Sequence, residues 1–204
     1  MGDYRTQFDE WYEKALNILQ TSGSAGQTFK YINAIGDEDY RNATFEKVAR
    51  LFAAQGRAED ALQFSRAIDN PVDLADSLFE VGRELRKNKS LDSAKDVFRQ
   101  AINAAATIKP GAWEIAAIFL QVTEELWNLD EKTDAIELLR RAIDLAKQPP
   151  QDFEASKTLA GCARLLSSWD HREEAVEVAE CVESPEQRNL VLEELGRPGG
   201  PGIE

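Results

Sequence analysis

Few side chains in this sequence stand where they could do chemistry. His171 is the single histidine. It sits in a turn beside Asp170, with no Ser or Cys nucleophile next to it, so a solvent-facing turn residue is expected. Cys162 and Cys181 are the two cysteines. Both fall in apolar helical stretches, and nothing basic stands nearby to favour a reactive thiolate. Two cysteines do not make a disulfide framework, so buried free thiols are expected. No Cys or His cluster has zinc-ligand spacing. No loop alternates oxygen ligands as calcium needs. Gly196, Gly199, Gly200 and Gly202 lie among prolines with no strand before them, unlike a phosphate-binding loop. Acidic pairs such as Asp37-Glu38-Asp39 and Glu124-Glu125 read as solvated helix ends and faces. These residues specify no catalytic constellation, no metal site and no cofactor, so a non-enzyme is expected.

Charge narrows the remaining options. Lys and Arg number 24 against 37 Asp and Glu, a formal net charge of −13 over 204 residues. Such a balance opposes binding to phosphate backbones, which relies on surplus cations, and anionic membranes repel it as well. A basic partner, or a locally basic groove, stays open. No run approaches the roughly 20 apolar residues of a membrane span. The N-terminus lacks a secretory pattern, and the cytoplasm is the expected location. Residues Met1 to Thr6 do fit the loose pattern for myristoylation at Gly2. No polybasic patch follows to supply a second anchor, which favours a chance match or a cloning remnant.

Any function therefore depends on the elements that carry surface groups, and those are helices. Val48, Leu51, Phe52 and Leu78, Val81, Leu85 recur at three- and four-residue spacing. No stretch alternates with period two. Ser24 to Gln27 and Ser184 to Gln187 read as capping boxes. Asn70-Pro71 and Ser184-Pro185 place an N-cap before Pro, and Ser90, Asp130 and Asp170 are further cap candidates. Small residues then recur in register. A first small slot holds Ala49, Gly82, Thr123 and Ala163. A second, twelve residues on, holds Ala61, Ala94, Ala135 and Ala175. Large apolar residues flank the first slot: Phe45, Leu78, Phe119 and Leu159 four before it, Phe52, Leu85, Leu126 and Leu166 three after. An upstream unit fits with Tyr12, Leu16, Leu19 and Gly23, with Thr28 at its second slot, and a downstream half unit with Leu192 and Gly196. First slots lie 33, 33, 41, 40 and 33 residues apart, and the two long intervals imply longer helices.

Each unit reads as two antiparallel helices whose backbones approach at the small slots. One hairpin cannot bury its apolar face alone, but stacked neighbours can. The expectation is an all-α solenoid of about five hairpins plus a C-terminal capping helix over residues 186–196. A single domain would cover residues 1–196, with a flexible Pro/Gly tail at 197–204.

This pattern resembles tetratricopeptide repeats, whose period is about 34 residues. The resemblance runs from about residue 9 to 196. It implies a superhelix whose leading helices line a concave, ligand-binding face. Projected from the first slot, that face should present Arg50, Phe79, Arg83, Arg86, Lys87, Leu120, Glu124, Trp127, Asn128, Lys157 and Arg164. The site expected from this set is Arg50, Phe79, Arg83, Arg86, Leu120, Trp127 and Arg164. Arg suits bidentate carboxylate recognition, and Trp and Arg are frequent binding hot spots. The partner implied is a protein or peptide, including one with acidic or C-terminal carboxylate groups. The family's chaperone-tail clamp is not implied, because its Lys and Asn places hold Glu46, Phe79, Leu120 and Ala160, then Arg50, Arg83, Glu124 and Arg164. Two bland alternatives stand beside the groove. The Arg residues can be satisfied by Glu46, Glu80 and Glu124, and exposed pairs contribute only about 0–1 kcal/mol. The apolar fourth leading helix, or the unpaired terminal helix, can instead serve self-assembly into a homodimer or longer array.

Overall fold

The computed structural model describes residues 4–108 and 113–196, and among these it contains eleven helices and no strand. In chain order they are α1 Tyr4–Ser22, α2 Ala25–Asn33, α3 Glu38–Ala54, α4 Ala58–Ser65, α5 Pro71–Lys87, α6 Leu91–Ala105, α7 Trp113–Asn128, α8 Lys132–Ala146, α9 Phe153–Ser168, α10 Arg172–Glu180 and α11 Pro185–Gly196. Odd-numbered helices lead and even-numbered helices trail, giving five hairpins and a final leading helix. The 197–204 tail lies outside the described residues. The chain divides into two compact units, Met1–Ala104 and Ala105–Glu204, and each is a short stack of hairpins.

The repeat spacing follows from trailing-helix length. Trailing helices α2, α4 and α10 have 9, 8 and 9 residues, and each accompanies an interval of 33. Helices α6 and α8 have 15 residues each, and they accompany the intervals of 41 and 40. About two extra helical turns of trailing helix account for the added chain.

Capping fixes where several leading and trailing helices begin. Ser24 Oγ accepts the backbone N–H of Gln27, Asp37 that of Tyr40, and Asp152 that of Ala155. Asn70 accepts from Val72, with Pro71 opening the helix. Each such bond satisfies an N–H that has no intrahelical acceptor.

Asp130 and Asp170 correct the expectation that they cap. Glu131 and His171 occupy the N-cap positions, without side-chain caps. Asp130 and Asp170 instead have φ of 63° and 65°, as Gly23, Gly56 and Lys89 do with 63°, 75° and 62°. All five residues stand seven after the first slot. There a left-handed residue ends the leading helix and turns the chain. The following N–H reaches back five residues, as Arg57 to Phe52, Ser90 to Leu85, Glu131 to Leu126 and His171 to Leu166.

The small slots are buried as the spacing requires. Ala49, Thr123 and Ala163 have no exposed surface, nor do Thr28, Ala61, Ala94, Ala135 and Ala175 at the second slot. Gly82 shows why the residue must be small. A Cβ there would meet the Phe98 ring of α6 at 2.5, 2.7 and 3.0 Å. The flanking large residues Phe45, Phe52, Leu85, Phe119, Leu159 and Leu166 are core. In the first unit Phe29, Phe45, Phe52 and Phe64 form one ring cluster, with centroids 5.2–6.1 Å apart. In the second, Arg141 lies over the Phe119 ring at 4.8 Å. On α11, Val191 and Leu195 are buried, Leu192 is half-buried and Leu190 is exposed.

Candidate partner-binding site

Leading helices α3 and α5 pack side by side in the first unit. Residues four apart on α3 (Asn42, Glu46 and Arg50) form a stripe facing Asp73, Asp76, Glu80 and Glu84 on α5. Asn42 donates from Nδ2 to Asp73 at 3.5 Å. Arg50 reaches Glu46 at 3.8 Å, Glu80 at 3.4 Å and Glu84 at 4.0 Å. Farther along, Arg83 pairs with Glu80 at 2.9 Å and Lys87 with Glu84 at 2.8 Å. Of the two alternatives the sequence left open for these Arg side chains, pairing with the protein's own Glu46 and Glu80 is the one seen for Arg50 and Arg83. Arg50 and Arg83 are both near two-fifths exposed.

Between the ends of this ladder, carboxylate faces carboxylate. Glu46 has its pKa raised first by burial. Arg50 offsets this in part, and Glu80, Asp76 and Asp73 add to the rise. Desolvation also raises Asp76, with Asp73 and Glu80 reinforcing it. Both groups hold protons more tightly than a free carboxylate.

The other expected site residues occupy varied positions. Phe79 is buried and packs on Phe98 with centroids 6.1 Å apart and rings tilted by 42°, and Arg83 lies above its ring at 5.6 Å. It belongs to the α5–α6 interior rather than the open surface, because α6 presents a large ring opposite Gly82. Arg86 is half-buried on the last turn of α5. In the second unit Leu120 is half-buried, with its Cδ2 2.7 Å from where a Cβ on Gly161 would lie. Gly161 thus admits Leu120 from α7 against α9, a close approach that repeat spacing alone does not mark. Trp127 stacks on Trp169 with centroids 3.9 Å apart and planes within 9°. Lys132 lies 5.5 Å from the same Trp127 ring. Arg164 donates to Glu194 of α11 at 2.6 Å. Of the expected residues, Arg50 and Arg83 stand on the α3–α5 ladder of the first unit, Phe79 lies in its interior, and Leu120, Trp127 and Arg164 stand on α7 and α9 of the second.

Groups considered for catalysis are placed as follows. Cys162 is fully buried, and burial pushes its thiol pKa up to about 12. Cys181 is half-buried rather than buried, caps α10, and donates its thiol to the Glu177 carbonyl. His171 is half-buried in the α9–α10 turn, where its N–H bonds to Leu166. Among the described residues no group of three or more His, Cys, Asp or Glu could hold a metal ion. No described helix is long and apolar enough to cross a membrane.

Comparison with known proteins agrees with this architecture. A family model for the tetratricopeptide repeat matches residues 75–107, which take in most of α5 and all of α6. A solved structure of TPR-like repeats from a kinesin light chain of Podosopora anserina has a TM-score of 0.52 at 16% identity. That match covers 96% of this chain and all of the other. A single-residue variant of the same protein superposes equally well, with a TM-score of 0.52 at 16% identity, over 97% of this chain and all of the other. Ton1535 from Thermococcus onnurineus NA1 has a TM-score of 0.53 at 15% identity over 90% of this chain, which spans 57% of the Ton1535 chain. No curated protein matches. The fold is an all-α, tetratricopeptide-like helical repeat. Repeats of this kind generally mediate protein–protein interaction or assembly and are typically non-catalytic.

Proposed function

We propose that this chain, a tetratricopeptide-like helical-repeat protein, is a non-catalytic scaffold that binds a protein or peptide partner on its leading-helix faces. In such repeats these helices line the concave side. One observation carries the reading. The apolar residues at the repeat positions are consumed by packing between helices, whereas α3, α5, α7 and α9 keep charged and aromatic groups half-exposed in ordered rows. Arg50 and Arg83 in the first unit, and Trp127 and Arg164 in the second, are the contacts this reading assigns. The acidic balance argues against nucleic acid as the partner, and a cytoplasmic setting fits a chain with two unpaired thiols.

The test uses the natural partner, recovered from the native source and then purified. The double variant Arg83→Glu, Trp127→Ala should lose capture of that partner while keeping its helical circular dichroism. Unchanged capture would reject these faces.

Self-assembly is a second reading, favoured by α11, where Leu190 is 46% exposed beside half-buried Leu192. Sedimentation should then show a dimer or larger species that Leu190→Glu dissolves. A wild-type monomer at micromolar concentration excludes it.

A further inference from the structure

The α3–α5 ladder has one place where hydrogen-bond acceptors outnumber donors. Asn42 is 4% exposed, and its Nδ2 is directed at Asp73. Its Oδ1 is buried and has no hydrogen-bond partner. A buried acceptor left unsatisfied forfeits the hydrogen bonds it made with water, so native structures rarely keep one. One helical turn on stands Glu46, and across from it Asp73 and Asp76. Among the described residues Asp76 has no cationic partner, and Glu46 has only Arg50 at 3.8 Å.

The nearby cations are held elsewhere. Arg41 donates to the Ile35 carbonyl and pairs with Asp69. Lys47 lies over the Tyr12 ring. Arg50 is drawn along the ladder to Glu80 and Glu84. Asp73 and Asp76 are exposed, so the cluster is open to an incoming side chain.

We propose that this cluster binds an arginine side chain from a basic segment of the partner protein, between Asn42, Glu46, Asp73 and Asp76. Charge complementarity selects the occupant. Every free group at this place is an acceptor, and a guanidinium carries five donors and no acceptor. Its planar fork can engage a carboxylate with two donors and still reach a neighbouring oxygen, which an ammonium point charge does less well. A cation here would also offset the burial, and the mutual repulsion behind it, that favour protonation of Glu46 and Asp76. The inference rests on the binding-scaffold reading and names the chemistry of its partner.

The full chain, labelled with nitrogen-15, is titrated with the peptide acetyl-Gly-Ser-Arg-Ser-Gly-amide while heteronuclear spectra are recorded. Saturable shifts are expected at the Asn42 side-chain amide and the backbone of residues 42–46 and 73–76. The neutral citrulline peptide should leave these signals in place. Glu46→Gln combined with Asp76→Asn should weaken binding at least about tenfold, since a hydrogen bond to a charged group contributes on that scale. Asp73→Asn alone should weaken it in the same direction, and circular dichroism verifies that each variant keeps its helices. Equal shifts at Glu173, Glu174 and Glu177 of α10, an acidic surface with no unsatisfied buried acceptor, would overturn the assignment. So would equal binding of the citrulline peptide or unchanged affinity in the variants. If the arginine peptide is silent while Arg83→Glu, Trp127→Ala still abolishes partner capture, this inference falls and the scaffold reading stands.

Discussion

Replacing Gly82 by Ala puts the role of the small slot to a quantitative test. The added Cβ would lie 2.5 Å from Phe98 Cε1, 2.7 Å from Cδ1 and 3.0 Å from Cζ. These separations fall roughly 1 Å short of the ~3.5–4.0 Å at which carbon atoms pack best. Phe98 has no exposed surface and lies against Phe79, so the ring has no empty space to enter. Overpacking of this kind costs about 1–3 kcal/mol. Ala gains about 1 kcal/mol over Gly in a helix interior, which leaves a net destabilisation of roughly 0–2 kcal/mol.

Gly161→Ala provides the internal control. Its Cβ would meet a single atom closely, Leu120 Cδ2 at 2.7 Å, the far end of a flexible and half-buried side chain. Leu120 can rotate away, and the helix-propensity gain of up to about 1 kcal/mol should dominate. Urea unfolding followed by circular dichroism should separate the two variants by about 1–3 kcal/mol, with Gly161→Ala the more stable. Adding Phe98→Leu to Gly82→Ala should recover stability beyond additivity, because the two residues touch. If both alanine variants are stabilised alike, the ring does not wedge against the slot and the reasoning about register fails.

Further outcomes follow from local geometry. Lys89→Gly should raise stability by up to about 1 kcal/mol, because Lys89 holds φ of 62° and only Gly adopts that region without a Cβ penalty; a fall in the urea midpoint would contradict this. In native protein at pH 8, a thiol reagent should modify Cys181 and spare Cys162, whose thiol is buried and stays protonated up to about pH 12; equal rates would refute the burial. Trp127→Ala should remove a near-ultraviolet dichroism signal arising from the Trp127–Trp169 stack, with far-ultraviolet helicity kept, whereas an unchanged near-ultraviolet spectrum would show that the rings do not couple. Glu46 and Asp76 have raised folded-state pKa values, so the folded chain binds their protons more tightly than the unfolded chain does. Their contribution to stability therefore grows as pH falls through the raised values and is lost as pH rises. Glu46→Gln should raise the melting temperature at pH 7, with an advantage that shrinks on acidification; a variant less stable than wild type at pH 7 would contradict the sign.

The architecture was legible because packing writes itself into spacing. Slots twelve apart marked Ala49 with Ala61, and the structure buries both completely. Intervals of 41 and 40 announced longer helices, and the extra length lies in α6 and α8. The left-handed turns were half legible. Gly23 and Gly56 signal them by residue type, while Lys89, Asp130 and Asp170 do so only by standing seven residues after the first slot. The α3–α5 ladder was hidden because it depends on which residue of one helix faces which residue of the next. Periodicity puts Asn42, Glu46 and Arg50 on one stripe and offers Glu46 and Glu80 as partners for Arg, yet it does not say that Asn42 meets Asp73 or that Arg50 reaches Glu80 across from α3 to α5. The same gap explains Phe79, whose place was set by Phe98 across the hairpin.

Helices approach closest where a small residue recurs, as at Gly82 against Phe98. Nuclear Overhauser spectra test it directly, through cross-peaks between the Gly82 Hα protons and the Phe98 ring. Strong cross-peaks are expected, with the Gly82 Hα resonances displaced by the ring current. Gly82 resonances at ordinary helical positions, with no contact to that ring, would contradict it.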